Sequence, residues 1–111
     1  MPNQFKSSRD VLIQSEDLAK AQHFYETVLG MQMTLDTDTM LGFEAGSLCL
    51  YVEKGPAYGP VFEFKVPDFE AAKQALLAAG CRIEKDEPAF PRCYFRDPFG
   101  LIFNVAGESK S

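Results

Sequence analysis

The chain has 111 residues, of which 46% are hydrophobic, and a formal net charge of −5. The length suits one domain spanning 1–111, and the apolar content excludes an intrinsically disordered chain. The acidic balance, without Lys and Arg clusters, excludes a nucleic-acid backbone as partner, and no apolar run approaches the roughly 18 residues that would cross a membrane.

The first predicted element is a strand, "DVLIQS", at 10–15. Asp17 follows as an N-cap candidate, and Leu18, Ala21, Tyr25, Val28 and Leu29 recur at helical spacing. Gly30 is placed to end that helix, predicted over 17–29, in a left-handed cap. Strands are predicted in "MQMTLD", "TMLGFEA" and "SLCLYVE". "PAYGP", from Pro56 to Pro60, reads as a hinge. The pattern then repeats. Strand "VFEFKV" leads to Asp68 and a helix over 68–79, with Phe69, Ala72, Leu76 and Ala79 on one face and Gly80 at its end. Strands follow in "CRIEKD", within "AFPRCYFR", and in "LIFNVA", the last introduced by an Asp97-Pro98-Phe99-Gly100 type I turn. The two prolines of "EKDEPAFPR" predict a loop that interrupts pairing before the seventh strand. Two modules result, about 8–55 and 60–106, each reading strand, helix and three strands.

Strand parity divides these residues between two faces. Val11, Ile13, Leu48, Leu50, Val52, Phe62, Phe64, Val66, Leu101, Phe103 and Val105 share the parity expected to pack under the helices. The opposite parity carries Asp10, Leu12, Gln14, Cys49, Tyr51, Glu53, Val61, Glu63, Lys65, Ile102 and Asn104. That mixture is too polar for a dry core and too apolar for an ordinary solvent face, as expected of a concave, ligand-lined surface.

Several residues stand out as candidates. His23, the single histidine, falls on the solvent side of its helix. The chain therefore lacks the commonest general base and metal ligand on the mixed face. Asp10 and Glu63 can hold an ammonium or guanidinium group, or pair with Lys65, Arg92 or Arg96. Arg92 and Arg96 can contact an anion, or pair with Asp97 or Glu63. Tyr51, Tyr94 and Phe99 can stack on a flat ligand, and Tyr58 can edge the cleft. Cys49 has no neighbouring His or Lys to activate it and reads as an inert thiol. Three cysteines without a CxxC pattern, and an N-terminus without an apolar core, predict a reducing, cytoplasmic location.

"DLAKAQHFYETVLGM", "LGFEAGSLCLYVEKG", "DFEAAKQALLAAG" and "FRDPFGLIFNV" together resemble the vicinal oxygen chelate superfamily, the glyoxalase, bleomycin-resistance and extradiol-dioxygenase group. The resemblance runs from Asp10 to Val105. It implies an α+β fold of two βαβββ modules forming a cupped mixed sheet, with helices on the convex face and assembly as a homodimer, with or without exchange between chains. It also implies a divalent metal in the cup of the enzymatic members, held by first-strand and last-strand residues and acting as a Lewis acid. Carried over, those positions fall on Asp10, Cys49, Val61 and Asn104, a set that matches no standard metal environment. A two-residue slip brings in Tyr51 or Glu63 instead, and Asp10, Glu63 and Asn104 would then form a hard-cation set.

The expected function is metal-free binding of a small organic molecule, cationic or aromatic, of the drug-sequestering kind and without a cofactor. Its lining would be Asp10, Leu12, Cys49, Tyr51, Val61, Glu63, Arg92, Tyr94, Ile102 and Asn104. The alternative is a metal-dependent lyase, isomerase or dioxygenase with atypical ligands. Glu63 is the one candidate for a catalytic group, as a base.

Overall fold

The computed structural model describes residues 3–87 and 92–108. The chain is an α+β protein whose elements run β1 (Lys6–Ser15), α1 (Leu18–Gln22, continued as a π-helix over His23–Val28), β2 (Gln32–Asp36), β3 (Met40–Glu44), β4 (Cys49–Lys54), β5 (Tyr58–Val66), α2 (Phe69–Ala78), β6 (Arg82–Glu87), β7 (Arg92–Arg96) and β8 (Ile102–Gly107). It forms two compact units, Arg9–Val61 and a second from Phe62 onward that includes the chain up to Ser8. Both repeat one topology. In the first, β1 pairs parallel with β4, and β4, β3 and β2 follow as antiparallel neighbours. In the second, β5 pairs parallel with β8, and β8, β7 and β6 are antiparallel.

The helix starts follow their caps. Asp17 accepts a hydrogen bond from the Lys20 amide (3.0 Å), and Asp68 accepts one from the Ala71 amide (3.1 Å). Both helices stop at a glycine of positive φ, Gly30 at 73° and Gly80 at 100°. Asn3 docks the chain start onto the second cap, accepting from the Asp68 amide at 3.2 Å.

Each unit has its own core. Leu41, Phe43, Leu50 and Val52 meet Ile13, Leu18, Ala21 and Tyr25 in the first. Val66, Ala72, Cys81, Cys93, Phe95, Phe103 and Val105 form the second, against Phe5, Phe64, Phe69 and Leu76. The apolar parity therefore does pack under the helices, with three exceptions. Leu48 and Leu101 (42% exposed) stand open immediately before β4 and β8, and Phe62 (41%) stands open in the middle of β5.

The first helix differs more from expectation. Leu29 N–H donates to Phe24 C=O (2.9 Å), a five-residue π step. Its turns hold more than 3.6 residues, so the stripe drawn from Leu18 and Ala21 keeps Tyr25, whose ring meets Phe43 at 5.6 Å, and releases Val28 and Leu29 to solvent. His23 is exposed, as its helical position predicted. Tyr58 to Pro60, expected in the hinge, belong to β5. Within the proline loop, β6 runs through Glu87, and residues 88–91 lie outside the described ones.

Cys81 and Cys93 sit in the second core, where burial, with Asp97 and Asp86 respectively adding to it, pushes both thiols above the ordinary 9.0. The folded state thus holds their protons more tightly than the unfolded chain. Their contribution to stability is whole below pH 9 and is lost as pH rises beyond it. In thiol titration with a disulfide reagent at pH 8, Cys49 reacts first; the other two react only on unfolding, bringing the total to three. Fast labelling of all three in the native protein would contradict this burial.

Candidate functional site

On the second unit, β5, β8 and β7 bring three side chains of the mixed parity into one row. Glu63 is the parallel partner of Asn104, and Asn104 is the antiparallel partner of Tyr94. These two, Glu63 at 7% exposure and Asn104 at 4%, are the buried polar side chains of the described residues, and Tyr94 is buried beside them. The local cause is simple. Phe103 and Val105 flank Asn104 and point into the core, so strand alternation forces the carboxamide to the opposite face. Phe64 and Val66 do the same for Glu63 and Lys65.

Arg92, on β7 two strands from β5, places Nη2 3.7 Å from Glu63 Oε2. That is an ion pair but lies beyond hydrogen-bond distance. Glu63 Oε1, Asn104 Oδ1 and Arg92 Nε are all buried without a hydrogen-bond partner among the described residues. Each such atom costs about 1–3 kcal/mol of desolvation unless something binds it. Lys85 Nζ lies over the Tyr94 ring at 5.9 Å and bridges to Glu87 at 3.2 Å. Lys85 was not foreseen. A β-bulge between Ile83 and Lys85 breaks the alternation, so Ile83 pairs with Phe95 while Lys85 pairs with Tyr94.

On the first unit, the register sets Asp10 beside Cys49, Leu12 beside Tyr51, and Gln14 beside Glu53. Gln14 Nε2 donates to Glu53 Oε1 at 3.0 Å. Cys49 Sγ lies 3.9 Å from Glu44 Oε2, and Arg9 bonds both Glu44 and the Gly46 carbonyl. Tyr51 is the antiparallel partner of Gly42. A Cβ there would come within 3.0 Å of the Tyr51 ring, so the glycine makes room for the aromatic. Val61 is wholly buried on β5, and Ile102 pairs with Arg96. Arg96 Nε donates to Glu84 Oε1 at 2.7 Å. Asp97 Oδ1 instead accepts from the Phe99 and Leu101 amides (both 2.9 Å), fixing the turn that launches β8.

Residues 9–105 match the family model described as Glyoxalase/Bleomycin resistance protein/Dioxygenase superfamily. The chain belongs to this superfamily. Its fold is that of solved extradiol enzymes. Homoprotocatechuate 2,3-dioxygenase from Brevibacterium fuscum, in complex with 3,4-dihydroxyphenylacetate, is 23% identical with a TM-score of 0.75, over 97% of this chain and 38% of that one. An extradiol ring-cleaving dioxygenase from B. fuscum is 21% identical with a TM-score of 0.73, over 97% and 34%. Homoprotocatechuate 2,3-dioxygenase from Arthrobacter globiformis is 23% identical with a TM-score of 0.73, over 96% and 37%. The chain thus spans little more than a third of the length of these enzymes. No curated protein matches it. No helix among the described residues is long and apolar enough to cross a membrane.

A divalent metal fits these residues poorly. No three His, Cys, Asp or Glu side chains among the described residues come together as a ligand group. The Glu63–Asn104–Tyr94 row offers one carboxylate and one neutral carboxamide, and a guanidinium already faces that carboxylate. A second cation there would meet Arg92 as a like charge.

Proposed function

We propose that this superfamily member is a metal-free, small-molecule-binding protein of the drug-sequestering kind, acting as a cytoplasmic homodimer. The observation that carries this reading is the pairing of Glu63 with Asn104, two buried side chains whose Oε1 and Oδ1 atoms lack partners. A bound molecule that supplies hydrogen-bond donors would complete such groups. The net charge of −5 favours approach of a cation to the protein as a whole, while Arg92 neutralises Glu63 at the site itself. Tyr94, beside Asn104, supplies an aromatic flank.

Thermal denaturation in the presence of a chelator, across a panel of cationic, neutral and aromatic compounds, tests the reading. A true ligand at 100 times its Kd stabilises by about 2.7 kcal/mol, a rise in Tm of roughly 10 °C. If zinc, manganese or iron alone raises Tm and the chelator abolishes every compound's effect, the metal-dependent lyase, isomerase or dioxygenase reading replaces this one.

A further inference from the structure

We propose that the group recognised at Glu63, Asn104 and Arg92 is a neutral carboxamide or urea, its NH2 facing the two acceptors and its carbonyl oxygen facing the arginine. The proposal rests on the small-molecule-binding reading above and names the chemistry of that same site. Three buried atoms are unpartnered: two acceptors, Glu63 Oε1 and Asn104 Oδ1, and one donor, Arg92 Nε. Glu63 and Asn104 are register partners on adjacent strands, about 4.8 Å apart, with side chains on one face. One NH2 group carries two diverging N–H donors and can serve both.

The alternatives each leave an atom unserved. An alkylammonium satisfies the acceptors but sets a second cation beside the guanidinium and leaves Nε–H bare. A carboxylate suits Arg92 but turns its lone pairs on Glu63 and Asn104. Glu63 and Arg92 already balance each other's charge, so a neutral ligand brings no uncompensated ion into a buried place. Donor and acceptor side by side, as in an NH2–C=O group, match all three. Arg92 also provides the way in. Its side chain is 38% exposed, and at 3.7 Å it can swing from Glu63 without breaking a hydrogen bond.

The experiment is a titration of 15N-labelled protein with benzamide, phenylurea, benzylamine and benzoate, with chelator present. Benzamide and phenylurea should move the Asn104 side-chain amide and Arg92 Nε–H resonances and bind at least ten-fold more tightly than the other two. Glu63→Gln, which replaces one acceptor oxygen by a donor, should weaken benzamide about ten-fold. Arg92→Lys, which keeps the charge but removes Nε–H, should do likewise; the amide fingerprint reports whether each variant is folded. Tighter binding of benzylamine or benzoate by the wild-type protein would overturn the carboxamide assignment and leave small-molecule binding standing. So would silence of these resonances toward all four probes when the thermal screen yields a ligand. Silence in both experiments would overturn both.

Discussion

Phe95→Ala is expected to lower the unfolding free energy by about 4 kcal/mol, within the range for removing a fully buried aromatic ring. Phe95 has no exposed surface. Its ring stacks on Phe103, with centroids 6.2 Å apart, and Phe103 in turn meets Phe64 edge-on at 5.3 Å. These three rings lie on β7, β8 and β5, the strands that carry Tyr94, Asn104 and Glu63 on the other face. A cavity under them loosens the registration of the site as well as the fold. Urea denaturation followed by far-ultraviolet circular dichroism measures the loss. The conservative Phe95→Leu should cost clearly less, because it keeps most of the buried volume. A loss below about 1 kcal/mol for the alanine variant would show that this ring does not hold the strands together.

The second large effect is expected at the ion pair. Arg92→Ala leaves the Glu63 carboxylate buried without its counterion, and Oε1 already lacks a hydrogen-bond donor. Stranding one partner of a fully buried pair costs about 3–5 kcal/mol. Arg92 is more than a third exposed and the 3.7 Å separation is loose, so the expected loss is smaller, about 2 kcal/mol. Glu63→Gln should cost less, because it removes the charge that needs a counterion. The double variant should fall short of the sum of the singles by about 1 kcal/mol, as a double-mutant cycle in urea would read. Strict additivity would mean that the two side chains do not interact, and the electrostatic account of the site would fail with it.

Much of this architecture was legible in the residues. Asp17 and Asp68, each followed by an apolar helical stripe and a glycine, marked two copies of one module, and both aspartates do cap their helices. The π step in the first helix was not legible, because no local residue pattern separates "HFYETV" from an ordinary helical turn. Its consequence, Val28 and Leu29 facing solvent, was therefore misjudged. Lys85 escaped for a related reason. Alternation assumes an unbroken ladder, and one extra residue in β6 reverses it.

Sequence by itself determined the face on which each candidate lies, because side-chain alternation is a local property of an extended backbone. Asn104 had to oppose Phe103 and Val105 in any fold that buries them. Which residues become its neighbours was decided only in three dimensions. Val61 and Glu63 share a parity, yet the β5–β8 register sets Glu63 beside Asn104. Likewise Arg92, one of the three cations that could have paired with Glu63, faces the carboxylate. Register and ion pairing between segments some 30 to 40 residues apart come from the packing of whole strands under a helix, which no stretch of sequence encodes alone.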